Sequence, residues 1–259
     1  MDYKIIFVDI DWTILDHQIH DWDYESLDVL KEAQNKGVLV YLCTARPYDS
    51  IMHTGLFNLF TPDGTICTNG GVAFIKDELL FANIIPEETV RQIEKICNKH
   101  HLVLELSTDK ERHFTNKANT YVHRYFSIFT EVMPVIKKYS NKNISQILLF
   151  APEKYDKVLK KEFPSNMNLF RFDSCGVDVG MHNNTKGKAV KKVLKHLNID
   201  KKYTIGIGDS FDDISMFKEV GLSIAMGNGS EEAKENASLV APSISDHGVA
   251  LTLKSLLNK

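Results

Sequence analysis

The chain has 259 residues, 43% hydrophobic and 25% charged, with 14 Gly and 7 Pro, a composition that excludes collagen-like and broadly disordered classes. At roughly 150 residues per domain, this length allows between one and two domains with a core that needs neither disulfides nor a structural metal. Thirty-one Lys and Arg against 34 Asp and Glu give a net charge of -3, and the lysine pairs beginning at 137, 160, 191 and 201 are scattered, so no nucleic-acid footprint is expected.

The opening Met1-Asp2-Tyr3-Lys4 carries no basic segment followed by an apolar stretch, and the apolar runs at 38–40 and 147–151 are strand-sized. Neither a signal peptide nor a membrane span is expected. Ile5-Ile6-Phe7-Val8 is a continuous apolar run, which is how a strand covered on both faces of a parallel sheet reads. An acidic loop follows it. Leu27, Leu30 and Ala33 stand at helical spacing within 24–35, Gly37 stops that helix, and 38–42 supplies the next buried strand. Such a βαβ unit binds ligands beyond the carboxyl ends of its strands.

Further on, 65–68 and 72–75 read as strands joined through Asn69-Gly70-Gly71. After Asn83 the reading is a helix at 87–100, strands, a polar stretch, a strand at 145–151, a helix at 153–163 and strands near 169–172 and 177–179. Short βα steps then return: helix 187–196, strand 204–207, helix 213–220, strand 222–225, helix 231–236, strand 239–240 and a last helix at 249–257. The expected fold is α/β, a doubly wound parallel sheet over 1–82 and 183–259, interrupted by an α+β unit at 83–182. Cys43, Cys67, Cys97 and Cys175 have no close pair or ligand-like spacing, which suits buried thiols in a reducing cytoplasm.

The chemistry gathers at strand ends. Asp9-Ile10-Asp11-Trp12-Thr13 ends the first strand, and Gly208-Asp209-Ser210-Phe211-Asp212-Asp213 follows the strand at 204–207. In one parallel sheet the two clusters share a rim, and their carboxylates persist in ionised form only with a cation among them. An all-oxygen donor set favours Mg²⁺, which also bridges to phosphate. Thr44, in Leu42-Cys43-Thr44-Ala45-Arg46, adds a hydroxyl, and Lys186 adds a positive charge at a helix start. Carboxylate nucleophile, metal, hydroxyl and lysine together suit phosphoryl transfer.

These four segments, in this order and on these elements, resemble the motifs of the haloacid dehalogenase superfamily of aspartate-nucleophile phosphatases. The long insertion between Thr44 and Lys186, Ile66-Cys67-Thr68-Asn69-Gly70-Gly71 and Asp246-His247-Gly248-Val249 resemble its Cof-like, type IIB subfamily, whose inserted cap selects the substrate. The resemblance implies a Mg²⁺-dependent hydrolase of a small phosphorylated metabolite, often a sugar phosphate, without an obligate protein partner. It implies Asp9 as nucleophile and Asp11 as acid and base. Asp9, the backbone carbonyl of Asp11, and Asp209 would ligate the metal, with Asp213 near it or orienting Lys186. Thr44, Ala45, Arg46, Lys186 and Asp212 would lie at the phosphate, although Arg46 could instead form an ion pair. Two departures stand out: Trp12 where the family usually has Gly, and Asp212 where it commonly has Asn.

Other readings stay open. A phosphomutase would share the site, a non-catalytic binder of a phospho-ligand would keep its shape, and a phospho-receiver uses a similar acid, threonine and lysine order, although the stretch from Thr44 to Lys186 is too long for one. His17-Gln18-Ile19-His20 reads as a loop with two exposed imidazoles, His100-His101 as a helix end, and Tyr121, Tyr125 and Phe126 as core. Gly206-Ile207-Gly208 lacks the third glycine of a dinucleotide fingerprint.

Overall fold

The structure is a computed structural model that describes residues 3–129, 132–140 and 142–257. The chain divides into two compact units. One comprises the chain up to Ala45, Gly55–Phe81 and everything from Thr185 on; the other comprises Arg46–Thr54 and Ala82–Asn184. Among the described residues no helix is long and apolar enough to cross a membrane.

The first unit is built on an eight-stranded sheet ordered Leu239–Val240, Leu222–Ala225, Thr204–Gly208, Ile5–Val8, Leu39–Cys43, Gly64–Cys67, Val72–Ile75 and Glu78–Ala82. The first six strands run parallel, and Val72–Ile75 turns back antiparallel on Gly64–Cys67. From Ile5–Val8 the chain winds outward in one direction, and from Thr204–Gly208 in the other. The strand order therefore reverses between these two neighbours, and a crevice opens at their carboxyl ends. Ile5, Ile6, Phe7 and Val8 are all fully buried, as a strand covered on both faces requires. Ile5, Phe7, Tyr41 and Cys43 pack with Val190, Val193, Met216 and Phe217 from helices Lys186–Leu197 and Asp213–Phe217. Helices Tyr24–Asn35 and Gly248–Leu257 pack on each other, tied by the Ala250 N–H donating to Ser26 Oγ at 3.1 Å.

The second unit holds a five-stranded antiparallel sheet ordered Met167–Asp173, Gly176–Met181, Gln146–Phe150, Val103–Ser107 and Arg112–Phe114. Alternation sorts its side chains. Leu104, Leu106, Ile147, Leu149, Val177 and Val179 form a core with helices Glu87–Lys99 and Asp156–Glu162. On the opposite face Val103, Phe114 and Phe150 meet Val122 and Phe126 of helix Thr120–Ile128, with Tyr121 and Tyr125 packed against them. Arg112 ties Arg46–Thr54 to this unit, its Nε donating to Asp49 Oδ2 at 2.8 Å.

Several elements carry no clear signal in the sequence: the short helices Tyr48–His53 and Leu56–Leu59, the edge strand Glu78–Ala82, and a small hairpin pairing Leu15–Asp16 with Asp21–Trp22. That hairpin corrects the expected loop with two exposed imidazoles. His20 is exposed, but His17 is buried because the hairpin folds it beneath the Trp12 ring, 5.1 Å between centroids.

Candidate active site

Asp9 leaves the end of the first strand with its N–H donating to Ile207 O at 2.9 Å, so adjacent parallel strands hold its backbone. Its side chain is buried. Lys186 begins helix Lys186–Leu197, whose cap is Thr185 Oγ1, accepting from the Lys188 N–H at 3.2 Å. From there the buried ammonium reaches Asp9 Oδ1 at 2.9 Å, Asp213 Oδ1 at 2.6 Å and Asp212 Oδ2 at 3.1 Å. One lysine thus meets three carboxylates.

Asp213 is fully buried and is occupied on both oxygens. Its Oδ2 accepts the N–H groups of Asp209 at 3.0 Å and Ser210 at 3.1 Å, which shapes the loop that carries Asp209. Gly208 is required here, since a Cβ would overlap the Asp213 carboxyl group. The Ser210 hydroxyl bonds Asp212 Oδ1. Ser215 Oγ accepts from the Gly187 N–H at 3.0 Å and donates to Asp212 O at 3.0 Å, so it ties the two helix starts together. Nothing in the sequence singles Ser215 out; only the approach of the helices gives it this place.

The electrostatics follow from burial. Burial pushes the carboxyl of Asp9 well above the usual carboxylate range; Lys186 opposes the shift, while Asp213, Asp209 and Asp212 add to it. Asp209 is raised in the same way by burial and Asp213, and Asp213 by burial against the pull of Lys186. For Lys186 burial alone would lower the pKa, but Asp212, Asp213 and Asp9 overcome it and hold the ammonium well above the ordinary lysine value. Asp9, Asp209 and Asp213 each offer a carboxylate oxygen, all within 4.8 Å of one another. Such closely held acids are stabilised by a hard divalent cation, and oxygen donors suit Mg²⁺. The residues present fit that ion.

The Asp11 carboxylate has a different partner. Its side chain is 22% exposed, and its Oδ1 lies 2.6 Å from Nε2 of His17. Trp12 adopts φ 59, the left-handed conformation that favours glycine. It is held there by its N–H to Leu15 O at 2.9 Å and by Asn228 Nδ2 donating to its carbonyl at 2.8 Å.

Thr44 and Ala45 follow the strand Leu39–Cys43, next to the first strand in the sheet. The Thr44 N–H donates to Ile66 O at 2.9 Å, and its carbonyl accepts from Asn69 N at 3.2 Å. Asn69 lies in a turn where Thr68, Asn69 and Gly70 all have positive φ, and Gly70 packs so closely on the Thr185 carbonyl that no Cβ fits. This turn braces Thr44 on one side and the start of the Lys186 helix on the other. Arg46 falls in the second unit, where its guanidinium donates to Ser50 Oγ at 3.1 Å.

Comparison with known proteins bears on the family of the chain. Residues 6–253 match the profile of the haloacid dehalogenase-like hydrolases. YkrA of Bacillus subtilis (strain 168), which carries a phosphatase name, is 28% identical over 99% of this chain and 98% of its own. A solved structure of the subclass IIB sugar phosphatase BT4131 superposes with a TM-score of 0.85 at 26% identity, covering 98% of each chain. Another, from work on a trigonal-bipyramidal intermediate in a phosphoryl-transfer superfamily, gives 0.86 at 25% identity, again over 98% of each. With an acid cluster and lysine at the switch point of the sheet and a matching profile along nearly its whole length, the chain belongs to the haloacid dehalogenase-like hydrolase family, as a phosphatase of its type IIB.

Proposed function

We propose that this phosphatase hydrolyses a small phosphorylated metabolite, a sugar phosphate being the first class to test, through an aspartyl phosphate formed on Asp9 with Mg²⁺ as cofactor. The observation that carries the reading is Lys186, buried and bonded at once to Asp9 and Asp213 beside Asp209. The sugar preference rests on the name of BT4131. Residues 1–82 and 183–259 would form the catalytic core and 83–182 the specificity unit. The four free, buried cysteines support a cytoplasmic setting.

In this mechanism the Asp9 carboxylate attacks phosphorus in line while the P–O bond to the leaving group breaks. Asp11 gives its proton to the leaving oxygen and then takes one from the water that hydrolyses the acyl phosphate. Thr44, the Ala45 N–H and Lys186 hold the transferring oxygens, with Asp212 anchoring the ammonium. Asp9, Asp209, Asp213 and the Asp11 carbonyl would hold Mg²⁺, which supplies positive charge against the developing negative charge.

The test is phosphate release across a panel of phosphorylated sugars, cofactors and nucleotides, with and without Mg²⁺. Asp9→Asn, which keeps the volume but removes the nucleophile, is expected to lose turnover while its circular dichroism is unchanged. A folded Asp9→Asn protein of unimpaired activity would overturn the assignment. Recovery of isomerised ester in place of free phosphate would mark a phosphomutase.

A further inference from the structure

The hairpin at 15–22 has no part in the mechanism above, yet it buries a histidine against the acid–base group. The His17 side chain is 2% exposed, and its Nε2 stands 2.6 Å from Asp11 Oδ1. Burying an imidazole costs free energy unless its nitrogens are bonded, and here Asp11 bonds Nε2. The chain spends further strain to keep it there. Trp12, whose ring lies 5.1 Å from that of His17, sits at φ 59, a conformation that L-residues seldom adopt. Hydrogen bonds to Leu15 and from Asn228 fix Trp12 in place. Immediately beyond His17, Asp16 Oδ1 accepts the Gln18 N–H at 2.8 Å, and the ladder pairs Asp16 with Asp21 and Leu15 with Trp22 close the hairpin. The backbone on both sides of His17 is therefore held.

An acid–base group works only when its oxygen stands within hydrogen-bond reach of the atom it serves, and a rotating carboxyl spends little time there. We propose that His17 is a positioning residue for the phosphatase reaction: its imidazole anchors Oδ1 of Asp11, holding the carboxyl in the orientation from which it protonates the leaving oxygen, with the Trp12 ring packed against the imidazole. The inference rests on the acid–base reading of Asp11. In the first half-reaction the Asp11 O–H bond breaks and an O–H bond forms on the leaving oxygen, which keeps the electron pair of the broken P–O bond. In the second half a water proton returns to Asp11 as water adds to phosphorus and Asp9 departs. His17 exchanges no proton in either step.

The experiment compares His17→Leu, which keeps the bulk but has no hydrogen bond, with His17→Gln, whose side-chain amide can donate to the same oxygen. The first turnover is followed by rapid quench with two substrates: a sugar phosphate that the wild type hydrolyses, and p-nitrophenyl phosphate, whose leaving group needs no proton. His17→Leu is expected to slow the sugar phosphate by roughly ten- to a hundredfold, part of the full worth of an acid–base group. For p-nitrophenyl phosphate the loss is expected to stay below about threefold, because the step then lacks an acid requirement. KM should change little, and His17→Gln should recover most of the rate. If His17→Leu does not fold, His17→Asn, whose shorter amide does not reach Asp11 Oδ1, is read in its place. A folded variant with wild-type first turnover, or an equal loss on both substrates without rescue by Gln, would overturn the proposal. Asp11→Asn run alongside separates the two levels. If it leaves sugar phosphate turnover intact, the acid–base reading fails and takes this inference with it. If it abolishes turnover while His17→Leu does not slow it, only the role of His17 fails.

Discussion

Lys186 carries the positive charge that compensates three acids of the site. Its buried ammonium touches the carboxylates of Asp9, Asp212 and Asp213. Removing one partner of a buried charged set typically costs about 3–5 kcal/mol, because the remaining charges lose their compensation. Lys186→Met is therefore expected to be destabilised by about that amount in urea titrations without Mg²⁺. The loss should depend on pH with a definite sign. Burial already raises Asp9 and Asp213 above their unfolded values, so the folded state binds protons more tightly than the unfolded chain and stability falls as pH rises through the folded values. Without the ammonium that slope steepens, and the variant should be closest to wild type in mild acid and furthest from it in mild base.

At the level of elements, the site depends on how helices begin. Asp23 caps helix Tyr24–Asn35, its Oδ1 accepting from Ser26 N at 3.3 Å and its Oδ2 bonding the Ser26 hydroxyl, while Ser26 Oγ accepts from Ala250. His247, at φ 56 just before the last helix, places Nδ1 2.8 Å from the same Asp23 Oδ1. Its hydrogen bond to Asp23 raises its pKa against the opposing effect of burial, with Asp23, Glu25 and Asp246 adding attraction. A histidine raised by folding contributes stability that is fully present below its unfolded pKa of about 6.5 and is lost as pH rises through the folded value. His247→Asn keeps a residue tolerant of the left-handed backbone. Its melting temperature should fall below wild type in mild acid and converge with it in mild base. Since the imidazole is 46% exposed, solvent screens the pair and the difference will be small.

For the whole molecule, charge is unevenly placed. The chain carries a net charge of only -3, yet Asp9, Asp209, Asp212 and Asp213 share one rim with Lys186. A divalent cation that binds the folded state and not the unfolded chain stabilises it, by about 2.7 kcal/mol at a hundredfold excess over its dissociation constant. Mg²⁺ should accordingly raise the melting temperature of the wild type, Asp209→Asn should abolish that rise, and Asp28→Asn, altering an exposed surface acid, should keep it. Scanning calorimetry read without enzyme assay checks this, and a Mg²⁺ response that survives in Asp209→Asn would remove that residue from the ligand set.

How much of this was legible beforehand follows from the range of the forces involved. The strands Ile5–Val8 and Leu222–Ala225 and the helix Tyr24–Asn35 stand where periodicity and stop signals put them, because apolar spacing and Gly37 are local facts. Short pieces escaped that reading. Leu15–Asp16 pairs with Asp21–Trp22 over only two residues a side, too few to show alternation, and Tyr48–His53 is too short for a helical stripe. The order of Asp9, Thr44, Lys186 and Asp209 along the chain is likewise a property of sequence alone, and with it the chemistry those residue types allow. That Lys186 bridges Asp9 and Asp213, that Ser215 joins two helix starts, and that His17 lies buried on Asp11 were decided only by the tertiary structure. Each depends on groups from different elements meeting at hydrogen-bond distance, and such distances are set by how sheet, helices and hairpin pack, which no local pattern encodes.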